Sequence, residues 1–178
     1  MRKNKYIQTL SMVLIASLGL VLAGCACKPK VVSHSSKTPT QLRQEKIKYL
    51  RKHGVQVIKA GQDITLVFRS DRLFNPHSAN FNENYQPVLK KATQFIRSYD
   101  KVTVKVAAYA KGRKPLTVAQ AKTVEEVLSS VGINARLTYA VGEGGKHPVA
   151  FRHSALGRSV NRRVEISFRF YPKFSNNE

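Results

Sequence analysis

The sequence predicts an α/β sandwich of the α+β class, with a mixed sheet and helices packed on one of its faces. Apolar residues alternate at period two in several segments and recur at helical spacing in two others. The two kinds of segment follow one another along the chain, and helices alternating with strands pack most economically as layers. At 178 residues with 42% hydrophobic content, the chain can build one core plus an appendage, despite a net charge of +21.

Val55 and Val57, then Ile64, Leu66 and Phe68, alternate around Ala60-Gly61-Gln62-Asp63, which predicts two strands joined by a turn. Val88, Leu89, Ala92, Phe95, Ile96 and Tyr99 form the stripe of a helix with one buried face. A third strand follows, with Val102, Val104 and Val106 alternating with Thr103, Lys105 and Ala107. Thr117 is expected to cap a second helix, with Val118, Ala121, Val124, Leu128 and Val131 inward and Gly132 at its end. Arg136 to Val141 makes a further strand, and a long loop runs from Gly142 to Val160. Within it, Gly142-Glu143-Gly144-Gly145-Lys146 lacks the Gly-Lys-Ser/Thr ending of a phosphate loop and reads as a turn. In the last strand Val164, Ile166, Phe168 and Phe170 face inward, and Glu165, Ser167 and Arg169 face outward.

The N-terminal segment has the pattern of an export signal. Arg2, Lys3 and Lys5 precede an uncharged apolar run of 14 residues, Leu10 to Ala23. A spanning helix needs about 20. The run ends in Leu22-Ala23-Gly24-Cys25, which resembles the lipobox of bacterial lipoproteins. That resemblance implies cleavage before Cys25 and a covalent lipid on its thiol. Residues 1–24 are then a signal peptide, and the remaining 154 residues carry a charge of +18. The alternative is an uncleaved anchor with an incidental cysteine. The motif spacing selects Cys25 over Cys27, and Ala26, where an aspartate would favour inner-membrane retention, implies the periplasmic face of the outer membrane. Two or three acyl chains suffice for a stable anchor. Residues 25–39, rich in Lys, Ser and Pro, read as the lipidated N-terminus and a flexible linker. Thr40 caps an expected basic helix over residues 40–54 that ends at Gly54, and either packs on the domain or meets an anionic surface. The domain proper spans 55–171, followed by a tail over 172–178.

Several short motifs in the domain share one family pattern. Ser70-Asp71-Arg72-Leu73-Phe74-Asn75, Leu116-Thr117, Val141-Gly142-Glu143, Gly157-Arg158 and Asn161-Arg162-Arg163-Val164-Glu165-Ile166 together resemble the periplasmic OmpA-like (OmpA/Pal/MotB) domain. The resemblance implies a βαβαβ-type sandwich and, as usual task, peptidoglycan binding. In that family an aspartate takes the ammonium of the diaminopimelate side chain, and a helix arginine takes its carboxylate. Carried over by position, the aspartate falls on Lys111, the arginine on Gln120, and a further acidic position on His77. A lysine there repels the ligand ammonium, and glutamine hydrogen-bonds a carboxylate without neutralising it. The connecting loop, Gly112-Arg113-Lys114-Pro115, is also short. Arg158, Arg162 and Arg163 are left as candidate anion or peptidoglycan contacts. For Arg162 and Arg163 the alternative is a structural role, pairing with Glu143 or capping carbonyls.

Composition narrows the remaining classes. Only ten acidic residues are present, three of them aspartates (Asp63, Asp71, Asp100), which argues against a hydrolase. His34, His53, His77, His147 and His153 lack metal-ligand spacing, and His153 beside Ser154 has no aspartate to complete a triad. No cofactor is expected beyond the lipid on Cys25. The positive charge would attract nucleic acid, but export and the inward spacing of Phe168 and Phe170 argue against that partner. Basic character, small size, short tether and altered pocket together resemble a lipoprotein family of the outer-membrane core complex of the Dot/Icm type IVB secretion apparatus. That resemblance implies secretion-complex subunits as partners, with weak peptidoglycan binding as a remnant. The alternative function is a lipoprotein tethering the outer membrane to the cell wall.

Overall fold

The computed structural model describes residues 37–171. The signal peptide, Cys25, most of the linker and the tail lie outside the described residues.

Helix α1 (Pro39–Lys52) begins one residue before the expected Thr40 cap, because Thr38 is the residue that caps it. Thr38 Oγ1 accepts the Gln41 N–H at 3.2 Å, and Gln41 Oε1 accepts the Thr38 N–H at 2.8 Å. This reciprocal pair satisfies two amides that a helix start otherwise leaves free. Gly54, at φ 78, ends the helix where a side chain would be strained. The helix packs on the domain: Leu50 is fully buried, and Arg43 donates to the Ser98 carbonyl while its guanidinium lies 4.3 Å over the Tyr99 ring. Thr38→Ala is expected to cost about 0.5–2 kcal/mol, read as faster amide exchange in the first turn of α1.

Strands β1 (Gln56–Ala60) and β2 (Asp63–Arg69) form the expected hairpin. After β2 come a one-turn helix α2 (Ser70–Leu73) and then α3 (Gln86–Ile96), which buries the expected stripe from Val88 to Ile96. Tyr99 lies beyond the helix end but packs edge-on against Phe95 and at a tilt against Phe168 and Phe170. Strand β3 (Lys101–Tyr109), helix α4 (Lys114–Ser130) and strand β4 (Thr138–Gly144) make a parallel crossover unit, and β5 (Arg163–Phe170) closes the sheet. The strand order is β1-β2-β5-β3-β4, antiparallel except for the β3–β4 pair.

Alternation places three cross-strand rows on one face. Ile64, Phe168 and Val104 align; so do Leu66, Ile166 and Val106, and then Phe68, Val164 and Ala108. All nine are buried under α3 and α4, in one cluster with Leu89, Phe95, Val124 and Leu128. At roughly 1.5–3 kcal/mol per large apolar side chain, these rows dominate the stability.

Four details differ from the sequence expectation. Thr117 is not a cap: α4 starts at Lys114 with Pro115 in its first turn, and the Thr117 hydroxyl donates to the Lys114 carbonyl. Val118 is turned outward and Val131 caps the C-terminus, so Thr117, Gln120, Ala121, Val124 and Leu128 form the inner face. Gly142 to Gly144 continue β4, so the turn begins only at Gly145. Finally, the expected long loop contains helix α5 (Ala155–Asn161), capped by the Ser154 hydroxyl accepting the Gly157 N–H at 2.9 Å.

This topology sets the position of the site. Because β3 and β4 are parallel, the loops that follow them emerge at the same end of the sheet. Strand β5 runs against β3 and starts there, and β2 runs against β5 and finishes there.

Candidate anion-binding site

At that end lies a cavity of about 680 Å³, within the range of ligand pockets. Its wall is drawn from α2 and the loop after it, the β3–α4 loop, α4, the β4–α5 loop, α5 and the start of β5. All six sequence-expected positions in the domain line it: His77, Lys111, Gln120, Arg158, Arg162 and Arg163. Arg113, Lys146 and Arg152 join them. Seven lysines and arginines therefore face one acidic residue, Asp71.

That acid is already engaged. Arg69 donates to both Asp71 oxygens, at 3.1 and 2.6 Å, and the Ser159 hydroxyl donates to Oδ2 at 3.3 Å. Burial pushes the Asp71 carboxyl up, but the hydrogen bond and charge of Arg69, helped by Ser159 and Arg162, outweigh it and hold the carboxyl below its ordinary value. A carboxyl with a lowered folded-state pKa stabilises the fold above the unfolded pKa of about 4, and that contribution is lost as pH falls through the folded value. Asp71→Asn should therefore flatten the acid limb of a stability-against-pH series measured by urea unfolding. An acid limb unchanged from the parent would contradict this.

Three of the sequence-expected positions, His77, Lys111 and Gln120, carry neither a carboxylate nor, at Gln120, a guanidinium. Lys111 sits in the β3–α4 turn, exposed, and its ammonium has no ion pair or hydrogen bond among the described residues. Gln120 is 5% exposed, and its Nε2 donates to the Ser78 carbonyl at 2.9 Å, tying α4 to the loop after α2. His77, at φ 57, holds its Nδ1 2.6 Å from Arg113 Nη1. Lys111 thus presents an ammonium to the cavity mouth, and Gln120 a neutral amide committed to the backbone.

Arg163 makes the structural contacts that its sequence context offered as one alternative. Its side chain is 4% exposed. Nε donates to Glu165 at 2.7 Å, Nη2 donates to the His147 carbonyl at 3.0 Å, and the guanidinium lies 4.0 Å from the Tyr109 ring centroid. The acidic partner is Glu165; Glu143 pairs instead with Lys105 and Lys146. Burial, with Glu165 next, pushes the Tyr109 phenol up to about 12, so it stays protonated beside that pair. Arg163 Nη1, however, is buried without a partner, as are Gln120 Oε1 and Ser70 Oγ, and all three residues belong to the cavity wall.

Sequence reasoning missed Arg113, Lys146 and Arg152 as members of the site. The signal was available in the charge of the two loops, but their convergence depends on the parallel β3–β4 pair. Arg158 is held by donating to the His153 carbonyl at 2.8 Å, and Arg152 by donating to the Gly145 carbonyl at 3.1 Å. Arg162 makes no side-chain hydrogen bond among the described residues; its charge acts on Asp71.

No protein-family model matches the chain. Over 108 residues it is 30% identical to outer membrane protein A of Bordetella avium, covering 57% of this chain and 55% of that protein. It is 27% identical to the probable lipoprotein YiaD of Escherichia coli, over 66% of this chain and 57% of YiaD. Outer-membrane lipoprotein YfiB of Pseudomonas aeruginosa is 28% identical over 84% of this chain and 87% of its own length. The cell wall anchor of the P. aeruginosa T6SS superposes with a TM-score of 0.65 at 28% identity, over 75% of this chain and 98% of that structure. The periplasmic domain of Helicobacter pylori MotB shares the fold, with a TM-score of 0.60 at 23% identity over 67% of this chain and 83% of that structure. The described domain has the OmpA-like fold. The match spans little more than half the length of YiaD and of the B. avium protein. The cavity contains all three of the positions, His77, Lys111 and Gln120, to which the sequence resemblance assigned a ligand role.

Proposed function

We propose that the chain is an outer-membrane lipoprotein, anchored through Cys25 on the periplasmic face, whose OmpA-like domain is a structural subunit of an envelope-spanning secretion assembly. It has no catalytic role. The type IVB class follows from the sequence resemblance. The observation that carries this reading is the pair Lys111 and Gln120, which places a free ammonium and an engaged neutral amide where zwitterion recognition needs an acid and an arginine. The lipoproteins YiaD and YfiB support the anchor, and the T6SS cell wall anchor supports this fold in a secretion apparatus.

That last neighbour also favours a second reading, attachment to the cell wall, because the cavity remains open and lined with arginines. Two measurements separate them. Native electrophoresis of detergent-solubilised envelopes should find the chain in a discrete multi-protein species, while the purified chain stays in the supernatant when murein sacculi are sedimented at about 0.15 M salt. Sedimentation with sacculi that Arg162→Gln abolishes, and Lys90→Gln does not, would establish the wall-binding reading instead. Cys25→Ser should release the chain from the outer-membrane fraction.

A further inference from the structure

We propose that the cavity is a receptor for an acidic peptide segment of a partner protein, with carboxylates seated among Lys111, Arg158, Arg162 and Arg163. The inference rests on the scaffold reading and assigns its docking chemistry. Of the seven cations lining the cavity, Arg163 is paired with Glu165 and Lys146 with Glu143, and the one acid in the wall, Asp71, is engaged by Arg69; Lys111 and Arg162 have neither a hydrogen bond nor a close ion pair among the described residues, so the net field favours an anionic occupant.

Three wall residues each carry a buried polar atom without a partner: Arg163 Nη1, Gln120 Oε1 and Ser70 Oγ. Those atoms are closed to solvent, so the exposed cations set the charge of the occupant, and the neighbouring apolar side chains set its class.

Beside the cavity, the β4–α5 loop that contributes Pro148 and Arg152 carries Val149 and Phe151, and the adjoining α5 carries Leu156. Phe151 and Leu156 are each 72% exposed. Arginine interleaved with exposed aromatic and aliphatic side chains is the composition of a protein-binding hot spot. It fits a peptide with apolar residues flanking its acids.

The test is fluorescence anisotropy of the full chain in detergent micelles at about 0.15 M salt. The probe is a labelled, N-acetylated hexapeptide with four Asp/Glu residues and one Leu. Saturable binding is expected. The matched Asn/Gln peptide, Lys111→Gln and Arg162→Gln should each weaken it by about tenfold, and Lys90→Gln by less than about twofold. Competitors are inorganic phosphate, phosphatidylglycerol vesicles and a diaminopimelate-containing muramyl tripeptide. Absence of saturable binding overturns the assignment, as does an equal loss with Lys90→Gln. Displacement by any competitor at lower concentration than the unlabelled peptide also overturns it, in favour of that anion. If the peptide fails to bind while the native assembly is intact, the cavity assignment falls alone; if it binds and no assembly exists, the scaffold reading falls.

Discussion

The double variant Lys111→Asp with Gln120→Arg should gain binding to diaminopimelate-type murein, measured as sedimentation with sacculi that the parent chain lacks. Both residues line the cavity, and the substitutions replace a repelling ammonium with a carboxylate and a neutral amide with a guanidinium. At an effective dielectric near 20, a unit charge about 5 Å from an ammonium is worth roughly 3 kcal/mol before salt screening. A net gain of at least about tenfold is therefore expected even after the exposure of Lys111 is discounted. Gln120→Arg alone should achieve little, because it breaks the bond to the Ser78 carbonyl and leaves the ligand ammonium facing Lys111. If the double variant binds sacculi no better than the parent, the two positions are not what separates this cavity from a wall-binding one.

Gly157→Ala should be among the most damaging single-atom additions in the domain. A Cβ there would lie 1.8 Å from the Phe151 carbonyl oxygen and 2.8 Å from Ser154 Oγ. Neither neighbour can give way cheaply: one is backbone, and the other is the cap of α5. Overpacking of this kind costs about 1–3 kcal/mol, and loss of the cap adds about 1 kcal/mol. Thermal unfolding should shift down by about 10 °C. Ser154→Ala, which removes the cap without the clash, should show only the smaller part. Equal shifts for the two variants would mean that the contact with Phe151 is not what holds α5 in place.

The sheet was legible because its inner strands β2, β3 and β5 bury one face. Ile64, Leu66 and Phe68, like Val164, Ile166 and Phe168, alternate in sequence and are buried together in the structure. The helix α3 stripe was legible for the same reason. Helix α5 was not, since Leu156 faces solvent and only Gly157 of its seven residues is buried, so no apolar period marks it. The Ser154 cap was its one local signal. The start of α4 was misjudged because threonine is a frequent cap, whereas here Pro115 opens the helix and Thr117 bonds within its first turn. At the site, the altered residues His77, Lys111 and Gln120 could be placed from motif order. What sequence reasoning did not supply was the partner of each side chain: Glu165 rather than Glu143 for Arg163, and the Ser78 carbonyl for Gln120. The first lies two residues along the same strand and was open to the period-two pattern, whereas the second is set by a loop path that joins residues far apart in the chain.

The cavity draws its wall from segments between Ser70 and Arg163, brought to one end of the sheet by pairings that include the first and last strands of the crossover unit. Pairings between distant segments form late and slowly. On the proposed reading, the chain would be blind to an anionic partner until the whole sheet has closed, so recruitment through this cavity would act as a quality check, admitting only copies that have finished folding.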